Sequence, residues 1–559
     1  AIPIQSLWTI NPDGTGLSTY FGNRVLSPGT FMEARPIPGT TKIICTMTGH
    51  NGPTRGAIGI IDRNCGVNSQ QAITNITPDT PVPNVNQGNG NTGGSKPYSS
   101  PYPLDAVRFL CSARGPVLVR TLDGTCASVA LPAPGNGMQW FCTQPVRPRR
   151  RPPVIASTLA ESKDDMATIF LQNVYAGLGP KVRPGEVTRI RVVREMEKTV
   201  RIDPRYRAFG FQFPVISCGA TYAGKHVLGE VPVAEDGSAV FRMPAGMPIY
   251  FMALDAEGRA VQRMRSFTHL MPGEVQGCVG CHEPRSDASH SRFSRVYARP
   301  PQELETPEWG TGGFDYARIV QPVLDKHCIK CHNPIDAPKG IDLTGGRTDY
   351  FNVSYDVLAR ENQGREGSPY VSWIPTYNGH EQNILKIEPK TWGSYNSKLA
   401  DVVLSGHPDK DGKPRHQLNE AERRRILAWM DLNVPYYGSS ETAYPEKRGC
   451  RQIYPDALDK VLADVGQRRC AECHRGGKIP RRVWTRITEP ELNPFLLAPL
   501  PREAGGSGKC GKPVFQDTED PDYQAILAVF RPVTEQLARV PRLDMPGGKP
   551  SEKVSRCTQ

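Results

Sequence analysis

A chain of 559 residues with 38% hydrophobic and 8% aromatic content has the material for about three or four packed domains, which excludes a disordered protein. No stretch of 18 apolar residues occurs, so no transmembrane helix is expected, and the start Ala1-Ile2-Pro3, without Met or a signal peptide, is that of a processed or truncated product. The formal charge of +12 points to an acidic partner, but its one dense cluster, Arg147 to Arg151 with Pro148, Pro152 and Pro153, reads as a Pro/Arg linker, and nucleic-acid binding is not expected.

Residues 1–145 read as short strands broken by turn residues. Leu7-Trp8-Thr9-Ile10 precedes the turn Asn11-Pro12-Asp13-Gly14, and the apolar runs Lys42 to Met47 and Ala57 to Ile61 flank a polar loop. Ala106 to Leu110 and Val117 to Arg120, the latter followed by Asp123-Gly124, continue the pattern. This spacing predicts propeller blades of about 40 to 50 residues. About three blades fit where a closed ring needs at least four, so an incomplete β-propeller is expected, completed by upstream blades or by another polypeptide. The Asn-, Gly-, Ser- and Pro-rich stretch from Pro83 to Pro103 reads as a surface loop. Within Thr48-Gly49-His50-Asn51-Gly52-Pro53, His50 stands near Cys45; together they could serve a metal or substrate, or be a turn histidine and a packed thiol.

After a linker at 146–154, residues 155–302 read as a β-sandwich-like middle domain. Thr188 to Val193 alternates as a half-buried strand should, and His226 to Val233, Ala239 to Met243 and Ile249 to Leu254 are further strands. The last strand, Ala260 to Phe267, is expected to lead straight into Cys278-Val279-Gly280-Cys281-His282. That pattern recurs as Cys328-Ile329-Lys330-Cys331-His332 and as Cys470-Ala471-Glu472-Cys473-His474. In each, two thiols three positions apart can form thioethers to the vinyl groups of one haem, and the adjacent imidazole can reach its iron.

With 15 Cys and 11 His in the chain, a chance CxxCH is expected only about 0.01 times. Zinc is the serious competitor, since CxxC pairs build zinc ribbons, but a ribbon needs no His after every second Cys. Three covalently bound haem c groups are therefore expected, with His282, His332 and His474 as proximal ligands. His269, close before the first motif, is either a distal candidate or a surface histidine. Thioether attachment takes place outside the cytoplasmic membrane, which makes the compartment periplasmic or extracellular. Removing six haem thiols from 15 Cys leaves nine, an odd number, so at least one is unpaired. Three haems would bring roughly six propionate charges and offset about half of the basic excess.

From 303 the helical period takes over. Ile319, Val320, Val323 and Leu324 form one apolar face of a helix that ends at Cys328, and a second helix begins at Asn419 with Glu422 three residues on, a capping-box pattern. A helix ending in CxxCH, a long loop and a closing helix make residues 303–440 a cytochrome c-like domain. Its loop offers His407 and His416 as distal ligands, His407 first, with His380 a further alternative. Residues 441–559 repeat the plan. Leu458, Val461, Leu462 and Val465 mark the helix into Cys470, and a closing helix capped by Asp520, with Pro521 first, buries Ile526, Leu527, Phe530, Val533 and Leu537. No histidine follows His474, so Met545 is the best-placed soft distal ligand; Cys450 and Cys510 flank the unit and could staple it.

The run His226-Val227-Leu228-Gly229-Glu230-Val231-Pro232-Val233, with Asp236-Gly237-Ser238-Ala239, Arg265-Ser266-Phe267, Pro272-Gly273-Glu274 and the first CxxCH, resembles the middle domain of the hydrazine synthase alpha-subunit family. The likeness extends to Thr48 to Gly56, to Trp429 to Gly438 and to Cys510 to Phe515, and so touches nearly the whole chain. The resemblance implies a propeller, then a β-rich domain with one unusual haem, then a cytochrome domain. In that family the motif histidine turns to a zinc ion and a tyrosine four residues later ligates the iron. Here that later position is Ser286, which implies ordinary ligation by His282 and argues against hydrazine synthesis. A third haem unit is a second departure.

The expected architecture is thus multidomain: a β-rich N-terminal half of partial propeller and β-sandwich-like domain, then two mainly α-helical cytochrome c-like domains. The expected function is a redox-enzyme subunit acting on small nitrogen or oxygen species, with an open first haem, a pocket drawing on Cys45, His50 or His269, and an electron relay through the other two. Its partners would be other redox proteins or subunits of a multihaem complex. The rival is a purely electron-transfer or scaffold subunit. Bound zinc or calcium is left open by the sequence.

Overall fold

The computed structural model describes residues 6–50, 52–82, 97–132, 135, 137–149, 151–157, 159, 165–198, 202–210, 212–219, 221, 223–264, 266–281, 295–335, 337–361, 374 and 388–552. His282, Ser286, His380 and Cys557 lie outside the described residues.

The N-terminal region builds two antiparallel four-stranded meanders. The first runs β3 (Thr30–Pro36), β4 (Ile43–Thr48), β5 (Ala57–Ile61), β6 (Ile73–Asn75); the second runs β7 (Tyr98–Pro103), β8 (Arg108–Ala113), β9 (Val117–Thr121), β10 (Cys126–Val129). Ile44, Ile58 and Ile60 of the first sheet pack on Tyr98, Phe109 and Cys111 of the second. The opposite face of the first sheet, with Ile43, Cys45, Met47 and Ile61, is covered by Phe21 and Leu7 of the two-stranded β1 (Leu7–Thr9) and β2 (Ser18–Phe21). Burial on both faces explains why β4 and β5 are apolar almost throughout. The expected three blades are, among the described residues, two four-stranded sheets and one hairpin, because the strand at Leu7 finds a single partner. The sheets are open.

The middle region is a sandwich. One sheet pairs β11 (Met166–Leu171) antiparallel with β14 (Ala239–Pro244) and parallel with β17 (Val275–Cys278). The other runs β13 (Lys225–Pro232), β12 (Arg189–Glu195), β15 (Ile249–Leu254), β16 (Ala260–Arg263). Ile169, Leu171, Ile190, Val192, Phe241 and Val261 fill the space between them. The expected strand from Ala260 to Phe267 stops at Arg263. A turn at Pro272-Gly273, with Glu274 N donating to Met271 O, reverses the chain so that a separate strand, β17, carries the first cysteine.

β12, expected to be half-buried, is covered on both faces. Ile190 and Val192 face the sandwich, while Val193 joins the core of the helical half. Arg191 is buried there because Glu230 Oε1 accepts from its Nε at 2.9 Å. Glu230 also pairs with Arg189 and with Arg424 of the helical half, so one carboxylate ties strand to helix.

The helical half contains α1 (Tyr316–Ile319), α2 (Gln321–His327), α3 (Lys398–Ser405) and α4 (Glu420–Asp431), followed by α5 (Leu458–Val465), α6 (Pro521–Ala528) and α7 (Arg531–Arg539). Asn419 and Glu422 form the expected capping box of α4. Two helices expected as continuous are broken at prolines, α1/α2 before Pro322 and α6/α7 before Pro532, where a missing N–H interrupts the ladder. No helix among the described residues is long and apolar enough to cross a membrane.

Candidate functional site: three CxxCH motifs

The first motif grows out of the sandwich. Cys278 ends β17 opposite Leu171, and the following carbonyls are held by Gln172 N to Cys278 O at 2.9 Å and Asn173 N to Val279 O at 3.1 Å. A Cβ at Gly280 would come within 2.5 Å of Ala176, so only glycine lets the motif lie this close to the chain beyond β11. Cys278, Gly280 and Cys281 line a cavity of about 90 Å³ with Ile169, Leu171, Ile190, Phe241, Phe251 and Met264. Burial, then the neighbouring Cys278, pushes the Cys281 thiol up to about 12. Two thiols beside an apolar lining would suit the attachment of an apolar macrocycle, of which a cavity of this size would take only an edge; the third element of the motif, His282, is not described.

None of Cys45, His50 and His269 is among the described residues lining this cavity. Cys45 is fully buried in β4, its thiol raised to about 12 by burial, and Cys111 holds the corresponding place in β8 of the second meander, also raised to about 12. The repeat marks Cys45 as a packing residue of the sheet. His50 is half-buried with Nδ1 lacking a partner, and His269 is half-buried beside the bridge between Ile249 and Thr268.

The second motif caps a helix. Cys328 is the C-cap of α2, and His332 N donates to Cys328 O at 3.0 Å. His332 Nδ1 lies 2.8 Å from Ile341 O, so the ring N–H donates to a carbonyl and Nε2 is the nitrogen left for a metal. Across from it stands His407, ring centres 6.2 Å apart and planes 23° from parallel. Two metal–nitrogen bonds of ~2 Å and ~1.1 Å from each nitrogen to its ring centre together span about 6 Å, so the separation of this pair matches that of two imidazoles that would share an iron.

The backbone that presents His407 is costly. Gly406 closes α3 in the left-handed region, and His407 itself has φ +52°, strain that clusters at functional positions. Burial, then Arg415 and His332, lowers the His407 pKa, which favours the neutral imidazole a metal needs. His416 sits behind, its N directed to Gly406 O at 3.3 Å, and no ring contact joins it to His332 among the described residues.

The third motif follows α5 through a widened turn, Gly466–Cys470, and His474 N donates to Cys470 O at 2.8 Å. Lys512 Nζ lies 3.1 Å from Glu472 Oε2 in an exposed ion pair, and burial, then the neighbouring Cys473, raises the Cys510 thiol. Cys450 is buried elsewhere, and neither it nor Cys510 is in a disulfide, so the expected staple is absent. Met545 packs with Tyr444, Ile453, Ile487, Val533 and Leu537, a cluster separate from that of Leu458, Leu462 and Val465 on α5. The spacing places Cys510 only at the flank of this unit; its position beside Cys470 and Cys473 follows from the fold. Among the described residues no group of three or more His, Cys, Asp and Glu is placed to hold a metal ion.

Comparison with known proteins converges on one family. The model of the hydrazine synthase alpha subunit middle domain matches residues 185–283, which end one residue beyond His282. Hydrazine synthase subunit alpha of Kuenenia stuttgartiensis is 22% identical over 325 residues, 46% of this chain and 39% of that relative. The solved Kuenenia stuttgartiensis hydrazine synthase superposes with a TM-score of 0.57 at 17% identity, over 78% of this chain and 65% of that one. The chain thus spans about two-fifths of the length of its curated relative.

Proposed function

We propose that this hydrazine-synthase-alpha-like chain is an extracytoplasmic three-haem c-type cytochrome, a redox-enzyme subunit whose first CxxCH holds the reacting haem and whose other two relay electrons. The observation that carries the reading is the cavity at Cys278 and Cys281, two cysteines that lie within the matched residues 185–283. A c-type haem bound there supplies an iron that exchanges electrons and binds a small ligand. The protein's part is to fix and dry that site. β17, tied to β11, sets the two thiols, and Phe241, Phe251 and Met264 give the cavity an apolar wall.

At the second motif, His332 and His407 are the pair that would hold an iron from both sides, leaving no open position. The same pair favours the second reading, an electron-transfer or scaffold subunit of a larger complex, should the first site be closed in the same way. Tyr at the position of Ser286 is missing, so hydrazine synthesis is not proposed. Partners are other redox subunits, and the open N-terminal sheets would be completed by upstream blades or by another chain.

The test is a haem count on the full chain expressed in a host that matures c-type cytochromes, by pyridine haemochrome and intact mass. Three covalent haems are expected, falling to two in Cys278→Ala/Cys281→Ala. No covalent haem, or an unchanged count in that variant, would refute the reading.

A further inference from the structure

Buried aromatic rings run without a break from Tyr316 of the second CxxCH unit to Tyr437, beside the C-terminal segment that carries Arg542 and Asp544. Tyr316, at the start of α1, lies 4.8 Å from Trp429 and 5.2 Å from Tyr355; Tyr355 lies 5.0 Å from Tyr436, and Tyr436 4.8 Å from Tyr437. Cys328 packs against the same core. Such a cluster is ordinary core packing unless something in it differs chemically.

The four tyrosine hydroxyls do differ. Tyr316 meets Ser354 Oγ at 2.9 Å, and Tyr355 and Tyr437 donate to the carbonyls of Val434 and Tyr350 at 2.7 and 2.6 Å. Neither an alcohol nor an amide carbonyl takes up a proton at neutral pH. Tyr436 instead donates to a carboxylate oxygen, Asp544 Oδ2, at 2.6 Å. Asp544 is held by Arg542 through Nε at 2.9 Å and Nη2 at 2.6 Å, and by Arg347 Nε at 3.0 Å. Burial alone would raise its pKa, but the two guanidiniums outweigh that and keep it below the ordinary range. Loss of an electron makes a phenol far more acidic than a carboxylic acid, so even this stabilised carboxylate is a competent acceptor. Both partners are fully buried, which shields the product from solvent.

We propose that Tyr436 is a redox-active tyrosine, oxidised by one electron as its phenolic proton passes to Asp544, with the surrounding rings carrying the electron towards the Cys328/Cys331 site. The idea rests on the haem reading above for its natural oxidant. In the step, the Tyr436 ring gives up one electron and its O–H bond breaks. A new O–H bond forms at Asp544 Oδ2, leaving a neutral phenoxyl beside a carboxylic acid. The electron would pass by way of the second site, which two histidines close, to the haem of the first site. There hydrogen peroxide as oxidant would take up two electrons, one from Tyr436 and one from that haem, and with two protons from solvent become two waters. One electron from a reduced partner, with the proton returned from Asp544, restores the phenol.

The experiment treats the full haem-loaded chain with hydrogen peroxide, freezes it and records EPR spectra. A tyrosyl signal is expected, reduced about tenfold in Tyr436→Phe and retained in Tyr355→Phe and Tyr437→Phe, which disturb the same core. A signal unchanged in Tyr436→Phe, or none although the Soret band responds to peroxide, overturns the proposal. The pyridine haemochrome of the same sample reports separately on the haem reading. If it shows no haem, flash-generated ruthenium(III) tris-bipyridine replaces peroxide as the one-electron oxidant, and the same comparison of variants decides.

Discussion

His407 and Glu422 show how single side chains here are set by the backbone around them. Gly406 ends α3 in the left-handed region and His407 follows with positive φ, bringing its ring 6.2 Å from that of His332. His407→Ala is expected to turn the second haem from low-spin to high-spin in EPR, whereas His416→Ala leaves it low-spin. The reverse pattern would assign the ligand to His416. Glu422 closes the capping box and pairs with Lys326 at 2.7 Å. Burial opposes its ionisation, but Lys326, the Asn419 N–H and His327 prevail and bring its pKa down to about 2. With the folded value below the unfolded value of about 4.3, its stabilisation is complete above that value and is lost as pH falls towards 2. The difference in Tm between the parent protein and Glu422→Gln should therefore shrink as pH is lowered through this window, and a constant difference would rule the linkage out.

At the scale of elements, β12 shows both what could be read in advance and what could not. Its alternation gave a strand with one buried face, since Ile190 and Val192 are apolar. The burial of Arg191 on the other face depends on Glu230, 39 residues away, and on Arg424 of α4, contacts that no local pattern contains. Removing Glu230 leaves that guanidinium buried without its charge partner, and Glu230→Ala should cost about 3–5 kcal/mol, read as a fall in the urea midpoint. A change below ~1 kcal/mol would mean that the three arginines reach water. Similar limits explain the other differences. Apolar period alone joined α1 to α2 and α6 to α7, while Pro322 and Pro532 divide them. The capping box of α4 was legible because it is written in adjacent residues, whereas the absence of Cys45 from the first cavity follows from packing between two sheets.

Over the whole molecule, the three CxxCH spacings are the most legible feature, because thioether attachment fixes chemistry within five consecutive residues. Their surroundings are long-range. Leu171 and Phe241 reach the first cavity across the sandwich, and His407 reaches His332 across a separation of 75 residues. The halves are joined tightly: Arg451 Nε donates to Val215 O at 3.0 Å, Tyr436 N donates to Ile216 O at 2.9 Å, and Asp431 Oδ2 accepts from Ala260 N at 2.8 Å. Such seams hold the first and second CxxCH units in one body. The central claim is that the first of these sites is open to a small ligand and the second closed by two histidines. Low-temperature EPR of the oxidised full chain, before and after cyanide, with nitric oxide added to the reduced form, tests it most directly. The account predicts a high-spin signal that one equivalent of ligand abolishes and that is missing from Cys278→Ala/Cys281→Ala, beside a low-spin signal indifferent to ligand. Only low-spin signals, all indifferent to ligand, would contradict it and leave the chain an electron conduit.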